Sequence, residues 1–325
     1  DMVSNIFPFR TFFDIFEDAY PNDIEIIYSL LLFIAYSSFG SYFDPKNIIK
    51  EADVSVLIDL LKSLQFKSCS LNLIASICHK DQNYIQIFCE KGLISALIDI
   101  EVDQIFSNFL TFLSENNLTE DQSIALSAFI HPLVVSEDTQ IVINGLCILN
   151  NLIKSPIKSL SSDLIDEYHN FLIIELKKFI DSNNEEIIKI ILYIFHSIPN
   201  LSNEVIELLF YLINNNISES KDNYILICTK IFREQYNNWK SQIDVNLLFE
   251  TLLPIVSNIS FQKEASIFLT LMRYGEYQNL SQPLMINLIL RFISYSNFSK
   301  MCLSALNKLL SIFKSPESLF GDQLE

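Results

Sequence analysis

"EADVSVLIDLL", from Glu51 to Leu61, carries the clearest structural signal in the chain, because a second version of it, "EKGLISALIDI", follows from Glu90 to Ile100. A weaker copy, "PFRTFFDIF", spans Pro8 to Phe16. In each copy large apolar residues precede an Asp and another apolar residue follows it. These Asp residues are 40–45 positions apart, and a phrase that recurs at such a spacing indicates a chain built from stacked units. We therefore expect Leu57–Leu61 and Leu97–Ile100 to occupy equivalent helices.

The composition favours helices and disfavours several kinds of partner. Half of the 325 residues are hydrophobic, and only five glycines and nine prolines supply turn chemistry, which suits helices joined by short polar turns. The formal net charge of −17 would repel nucleic acid phosphates and anionic membrane surfaces. We therefore expect neither nucleic acid nor membrane as a partner, whereas basic proteins or peptides remain compatible.

The acidic charge is concentrated in one stretch. No Lys or Arg occurs between Lys91 and Lys154, although eight acids do. One interpretation is a solvated acidic surface that aids solubility, and the other is a docking field for a basic ligand. The eight acids are Asp99, Glu101, Asp103, Glu115, Glu120, Asp121, Glu137 and Asp138.

One apolar stretch is nearly long enough to cross a membrane. The 18 residues from Ile26 to Phe43 carry no charge, which approaches a spanning length. The second half of the stretch is rich in Tyr, Ser and Gly, and Asp23 and Glu25 directly precede it. A helix that is buried on all sides within a stack has the same pattern. We expect the buried helix.

A three-helix unit accounts for the repeated phrase. From Leu57 the chain reads as a helix ending in "LIDLLKS", a longer helix "FKSCSLNLIASIC" and a short helix "NYIQIFCEK", with Gly92 as the turn into the next copy. This unit of about 40 residues resembles the armadillo repeat. The resemblance implies an all-α fold, a right-handed α-solenoid of about nine armadillo (ARM/HEAT-like) repeats that forms a single domain over residues 1–325. The repeated phrase then marks the second helix of each unit.

Three stretches resemble one armadillo family, the importin-α nuclear import adaptors. They are "LQFKSCSLNLIASICHKDQNYIQIFCEKG", "SNFLTFLSENNLTEDQSIALSAFIHPLVVSEDTQIVINGLCILNNL" and "KMCLSALNKLLSIF". In the second stretch the resemblance implies that a loop replaces the short first helix and that one apolar helix follows. It also implies a concave groove for basic cargo, and an import receptor as a further partner that would bind a segment before Asp1.

The resemblance also locates candidate groove residues. In importin-α the third helices present Trp residues that sandwich Lys and Arg stems, and Asn residues that clamp the ligand backbone. At those positions this chain keeps the expected type only at Asn151, and its single Trp, Trp239, is predicted to lie in a connecting segment. The groove chemistry of the family is therefore largely replaced. The candidate ligand-groove residues are Asn72, Ser76, Thr111, Glu115, Asn151 and Tyr193.

No catalytic or metal-binding pattern accompanies these residues in the sequence. The four histidines show no metal-ligand spacing, and no Gly-rich phosphate loop, G-x-S-x-G or zinc-protease helix occurs. We expect a non-enzyme without cofactor or metal. The leading hypothesis is a protein- or peptide-binding adaptor that resembles importin-α and carries basic cargo. The alternative is a general armadillo scaffold, or a chaperone cofactor, that binds a folded partner.

The cysteines predict the compartment. Cys69, Cys78, Cys89, Cys147, Cys228 and Cys302 lie in apolar runs without a C-x-x-C pair, as buried thiols do in a reducing environment. This favours the cytoplasm, the nucleus or both.

We predict that all six cysteines are free thiols. Alkylation of the denatured, unreduced protein should add six labels by mass spectrometry, because none of the thiols is expected to be blocked by a disulfide. A stoichiometric disulfide would contradict the reducing compartment.

Overall fold

The computed structural model describes residues 9–20, 22–38, 44–155, 162–181, 184–198, 202–215 and 224–312, and these residues form helices, turns and loops without any strand. They divide into two compact units, Asp1–Glu167 and Tyr168–Glu325. Each unit is a stack of helical repeats, as the sequence predicted. Whether the two act as the single domain expected from the repeats stays a prediction.

The first unit contains eleven complete helices among its described residues. They are α1 Phe9–Ala19, α2 Ile24–Ser38, α3 Pro45–Ile48, α4 Glu51–Leu60, α5 Lys67–Lys80, α6 Asn83–Glu90, α7 Leu93–Leu97, α8 Gln104–Ser114, α9 Glu120–Ser127, α10 Ile130–Val134 and α11 Thr139–Lys154. The next helix, α12 (Ser162–Asp181), contains the boundary between the units.

The second unit continues with α-helices and one 3₁₀ helix, Pro254–Asn258. The α-helices are α13 Glu185–Ser197, α14 Asn203–Asn215, α15 Tyr224–Glu234, α16 Tyr236–Trp239, α17 Val245–Leu252, α18 Phe261–Tyr274, α19 Tyr277–Leu280, α20 Pro283–Phe292 and α21 Ser296–Ile312.

Successive third helices pack directly against one another. In the first unit α2, α5, α8 and α11 are consecutive neighbours, and in the second unit α13, α15 and α18 are. With α21, which follows its own short pair of helices, eight third helices lie in the described residues, close to the nine repeats expected. Ile194, Ile231 and Phe268 lie at intervals of 37 residues and are completely buried, so each repeat covers the apolar face of the one before it.

Capping residues and a glycine mark the points where the helices begin and the chain turns. The Asp103 side chain accepts a hydrogen bond from the Phe106 amide at the start of α8, and Thr119 forms a capping box with Gln122 at the start of α9. Gly92, which was predicted to turn the chain between α6 and α7, has a φ of +93°, a conformation that glycine adopts without steric cost.

The repeated phrase lies on the second helix of two successive units, as predicted. Leu57 and Leu97 are both completely buried, Asp59 and Asp99 are both exposed, and Leu60 and Ile100 are both buried. Ile98 differs from its counterpart, since it is 68% exposed in the turn after α7 whereas Ile58 is 6% exposed within α4. The third helices that follow begin at Lys67 and Gln104, 37 residues apart, so the phrase lies three residues closer to its third helix in the second of the two units.

Two expectations are corrected. The segment after α8 keeps a short first helix, because α9 lies 37 residues after α6 and has the same length; the loop before α9 does not replace it. The apolar helix α2 is not buried on all sides, since Ile26 and Phe33 are 44% and 40% exposed. Residues 39–43 of that stretch lie outside the described residues. Among the described helices, none combines the length and hydropathy needed to span a membrane.

The helix α11 approaches α10 very closely at Gly145. A Cβ atom at this position would lie 2.7 Å from the Leu133 Cβ and 3.0 Å from a Val134 methyl. Because these neighbours belong to a packed interface, they have little room to withdraw. Glycine is therefore required at Gly145 by packing, although its backbone is helical.

We predict that Gly145→Ala destabilises the chain. Glycine to alanine within a helix normally stabilises by about 0.5–1 kcal/mol, but overpacking at this contact should instead cost about 1–3 kcal/mol. The urea midpoint of unfolding measures the change, with Ser95→Ala in the exposed part of α7 as a control that leaves the midpoint nearly unchanged. An increase in the midpoint for Gly145→Ala would show that α10 and α11 are further apart than described.

Candidate functional site

A pocket of about 410 Å³ lies between the third helices α5 and α8 of the first unit. Ala75 and Ser76 on α5 are small, whereas the positions 37 residues later on α8 are Phe112 and Leu113. The difference in side-chain size leaves an open space at this joint. The pocket is lined by Leu71, Asn72, Ala75, Ser76, His79, Ile105, Asn108, Phe109 and Phe112.

Two asparagine side chains face this pocket from successive repeats. Asn72 and Asn108 are both exposed and lie 36 residues apart. The Asn72 amide makes no hydrogen bond with any described residue. The Asn108 carbonyl oxygen accepts a hydrogen bond of 2.7 Å from Asn144 on α11, while the NH₂ group of Asn108 has no acceptor within the described part of the chain. Together they offer donors and an acceptor to a ligand.

Ser76 lines the same pocket, but its hydroxyl is buried beneath the pocket surface. The residue is 3% exposed, and its Oγ is shielded from solvent without a hydrogen-bond partner in the described structure. A buried hydroxyl without a partner costs about 1–3 kcal/mol. Because a water molecule does not reach this Oγ, the hydroxyl is enclosed by the packing and is not part of the surface that the pocket offers to a ligand.

The joint between α8 and α11 is closed by hydrogen bonds. Asn144 donates to Ser107 Oγ at 2.8 Å as well as to Asn108, and Asn151 donates to Ser114 Oγ at 3.0 Å. The amide of Asn151, predicted to clamp a ligand, is thus used to join two repeats. Sequence reasoning missed Asn108 and Asn144, although the 36-residue spacing that relates them to Asn72 was visible.

The remaining candidate residues are dispersed. The Thr111 hydroxyl donates to the Ser107 carbonyl at 3.0 Å within α8, and Thr111 is not part of the pocket lining. Glu115 is exposed at the end of α8, also outside the lining. Tyr193 is 45% exposed on α13, in the second unit. Of the six predicted groove residues, the structure therefore brings only Asn72 and Ser76 together in one pocket.

The pocket itself is uncharged. His79 is its only titratable lining residue, and no carboxylate, Lys or Arg is among the others. Within the described residues, no group of three His, Cys, Asp or Glu could hold a metal ion. The lining combines apolar surface with a few convergent polar groups, which is the usual character of a ligand site.

Two acids of the base-free stretch have structural roles. Lys67, whose side chain is 7% exposed, donates to Asp103 at 2.5 Å and to the Glu101 carbonyl at 3.2 Å. Partial burial works to raise the pKa of Asp103, but hydrogen bonds from Lys67 and the Phe106 amide outweigh it and hold that pKa below its usual range. A hydrogen bond from the Gln104 side chain, helped by backbone amides at the start of α11, likewise lowers the pKa of Asp138.

Comparison with known proteins supports the fold and nothing finer. No family model matches the chain, and no curated protein matches it. It is similar to the crystal structure of an engineered protein, with 14% identity, 92% of this chain and 88% of the other covered, and a TM-score of 0.57. A computationally designed armadillo repeat protein for modular peptide recognition matches with 16% identity, 81% and 99% coverage, and a TM-score of 0.49. The first likeness, together with the three-helix units described above, shows an all-α, armadillo-like repeat fold.

We predict that Asp103→Asn lowers the free energy of unfolding at neutral pH by about 1–3 kcal/mol. Asn still caps a helix, but the change removes the charge that pairs with buried Lys67. Because the folded pKa of Asp103 is lowered, its contribution is present at neutral pH and is lost as the pH falls through that folded pKa.

Urea denaturation between neutral and acidic pH tests this prediction. The difference between the wild type and Asp103→Asn should shrink as the pH falls. Asp99→Asn, which removes an exposed acid from the same stretch, is the control and should change little at any pH. Equal effects of the two substitutions would show that net charge, and not the pair with Lys67, is responsible.

Proposed function

We propose that the chain is a non-catalytic binding protein that holds an extended segment of another protein against the third helices of its first unit. The observation that carries this proposal is the pair of asparagine amides, Asn72 and Asn108, that face one pocket from successive repeats. A peptide in extended form presents N–H and C=O groups that such amides can bind without regard to its side chains. The resemblance to the importin-α family, in which asparagines clamp a ligand backbone, agrees with this role.

The shape and chemistry of the pocket support a peptide more than a folded domain. The opening is a cleft between two helices with apolar walls, and its polar groups are few and convergent. A side chain of an extended segment can enter such a cleft, whereas the flat surface of a folded partner would leave the cleft empty. We place this activity in the cytoplasm or nucleus, on the basis of the six cysteines in apolar settings.

A second candidate is the importin-α-like adaptor that carries basic cargo and engages an import receptor. It is favoured by the stretch without Lys or Arg between Lys91 and Lys154 and by the exposed Glu115 beyond the pocket. An exposed ion pair between Glu115 and a basic ligand would contribute only about 0.2–1 kcal/mol. The pocket lining contains no carboxylate to pair with a Lys or Arg side chain.

The test is a selection of random displayed peptides against the full chain, followed by fluorescence anisotropy with the selected peptides. We expect Asn72→Ala and Asn108→Ala each to weaken binding about tenfold, because losing the hydrogen bonds of one amide to the ligand backbone costs about 1.4 kcal/mol. Asn72→Ala is the cleaner variant, since Asn108 also accepts from Asn144. Asn117→Ala, an exposed asparagine in the loop before α9, is the matched control.

A Lys- and Arg-rich import-signal peptide, titrated at low and high salt, separates the two candidates. Salt-sensitive binding that Glu115→Gln weakens, while Asn72→Ala does not, would favour the basic-cargo adaptor. Selected peptides that bind the wild type and both asparagine variants equally would refute the proposed peptide site.

A further inference from the structure

We propose that a pocket in the second unit binds a short acidic segment of a partner protein through Lys300 and Lys308 on α21. The pocket has a volume of about 580 Å³ and lies between α21 and the ends of α18 and α19. The inference does not rest on the proposed function, because that function uses only residues of the first unit. The pocket is lined by Met272, Gly275, Leu280, Asn297, Lys300, Met301, Ser304, Ala305 and Lys308.

The charge of the sequence reverses around this pocket. No Asp or Glu occurs between Glu276 and Glu317, in a chain whose acids outnumber its bases 39 to 22. A locally positive region of an acidic chain attracts a partner of opposite charge, over roughly a Debye length of about 8–10 Å. The bases of this stretch are Arg291, Lys300, Lys308 and Lys314, the last of which lies outside the described residues.

The two lysines of the pocket are not neutralised by the protein itself. Arg291, the other described base of the stretch, pairs with the buried carboxylate of Glu264 on α18. Lys300 and Lys308 have no such partner within the described part of the chain, and no carboxylate lies among the residues that line the pocket. Because both lysines are exposed, a ligand can reach them without displacing any part of the protein.

The spacing of the lysines fits an extended segment with two acids. Lys300, Ser304 and Lys308 follow one another at four-residue intervals along one face of α21, and eight helical residues span about 12 Å. In an extended segment, alternate side chains point to the same side, and carboxylates four residues apart are separated by about 13 Å. The two acids therefore match the two lysines, and the side chain midway between them meets the apolar surface of Met272 and Met301.

Other anions fit this pocket less well. The bidentate fork of Arg suits phosphate better than the point charge of Lys, and no Arg is among the lining residues. Nucleic acids and anionic membranes carry dense negative charge over a wide area, which the net charge of −17 repels. A short segment with two carboxylates instead meets only the local field of the pocket. The exposed side chains of Asn297 and Ser304 can in addition bond its backbone.

The experiment uses the full chain with isotope-labelled methionine methyl groups, followed by NMR. Four methionines occur in the sequence. Met272 and Met301 line the pocket and report on binding, whereas Met285, completely buried on α20 and outside the lining, is the internal control. The probe is the blocked peptide Ser-Glu-Ser-Leu-Ser-Glu-Ser, titrated to millimolar concentration because exposed ion pairs are weak. We expect it to shift the Met272 and Met301 resonances and to leave that of Met285 in place.

Substitutions in the chain test the role of each lysine. We expect Lys300→Gln and Lys308→Gln each to weaken binding about threefold, and the double variant about tenfold, as two exposed ion pairs predict. Lys240→Gln removes an exposed base outside the pocket and is the matched control, which should leave the affinity unchanged. Replacing both pocket lysines by glutamate should transfer binding to the peptide in which lysine replaces glutamate. Thermal unfolding confirms that each variant folds.

Changes in the peptide test its charge and spacing. The peptide with glutamine in place of glutamate should cause no shift. The isomer Ser-Glu-Glu-Leu-Ser-Ser-Ser has the same charge but adjacent carboxylates, so it should bind about threefold more weakly, because only one lysine is then matched. Equal binding of the two isomers would overturn the proposed extended segment.

Three further results would contradict the proposal. One is an affinity that neither pocket lysine affects, and another is an effect of Lys240→Gln as large as theirs. The third is a stronger shift of Met272 and Met301 by inorganic phosphate or phosphatidylserine vesicles than by the acidic peptide, which would assign the pocket to a different anion. Asn72→Ala, which tests the proposed function in the first unit, should leave this titration unchanged, so the two proposals can fail separately.

Discussion

Each repeat exposes an apolar face that only the next repeat can cover, and this constraint fixes which residues meet. Positions about 37 residues apart lie against each other in both units. Leu73 and Leu110 are completely buried at this interval in the first unit, as are Ile231 and Phe268 in the second. Polar contacts follow the same rule, since Asn144 reaches Ser107 and Thr229 reaches Ser266 across 37 residues. A single repeat would leave these groups exposed or without partners.

The candidate site is a place where this rule is only partly fulfilled. Between α8 and α11 the joint is closed by Asn144 and Asn151, whose amides bond the preceding helix. Between α5 and α8 the matching positions, 37 residues earlier, are Ser107 and Ser114 opposite Ser70 and Ile77. The hydroxyls of Ser107 and Ser114 donate to carbonyls within α8 instead. Asn108 takes part in both joints, with its carbonyl oxygen in the closed one and its NH₂ group at the open one. One repeat geometry thus produces either a structural contact or a binding surface, depending on the size of the side chains beside it.

The sequence predicted the helices and the positions of the repeated phrase, because buried and exposed residues at a fixed spacing define one face of a helix. Leu57 and Leu97 are completely buried and Asp59 and Asp99 are exposed, whereas the exposure of Ile98 depends on where α7 ends and could not be predicted from the pattern. Asn72 and Ser76 were identified because the resemblance to importin-α placed them on a third helix. The role of Asn151 could not be predicted, because its hydrogen bond to Ser114 forms only when α8 and α11 pack against each other.

The acidic stretch and the neutral pocket can contribute to different stages of one binding event. The carboxylates of Asp103 and Asp138 accept hydrogen bonds from backbone amides at helix starts. Glu115, by contrast, is exposed to solvent. Charge at the surface acts over roughly a Debye length, about 8–10 Å, and mainly accelerates the first encounter with a basic partner. A desolvated pocket instead slows dissociation. Under the proposed function, salt would therefore change the association rate, while substitutions in the pocket would change the dissociation rate. An acidic surface and a neutral pocket can consequently serve the same partner, because the two features act at different distances and on different rate constants.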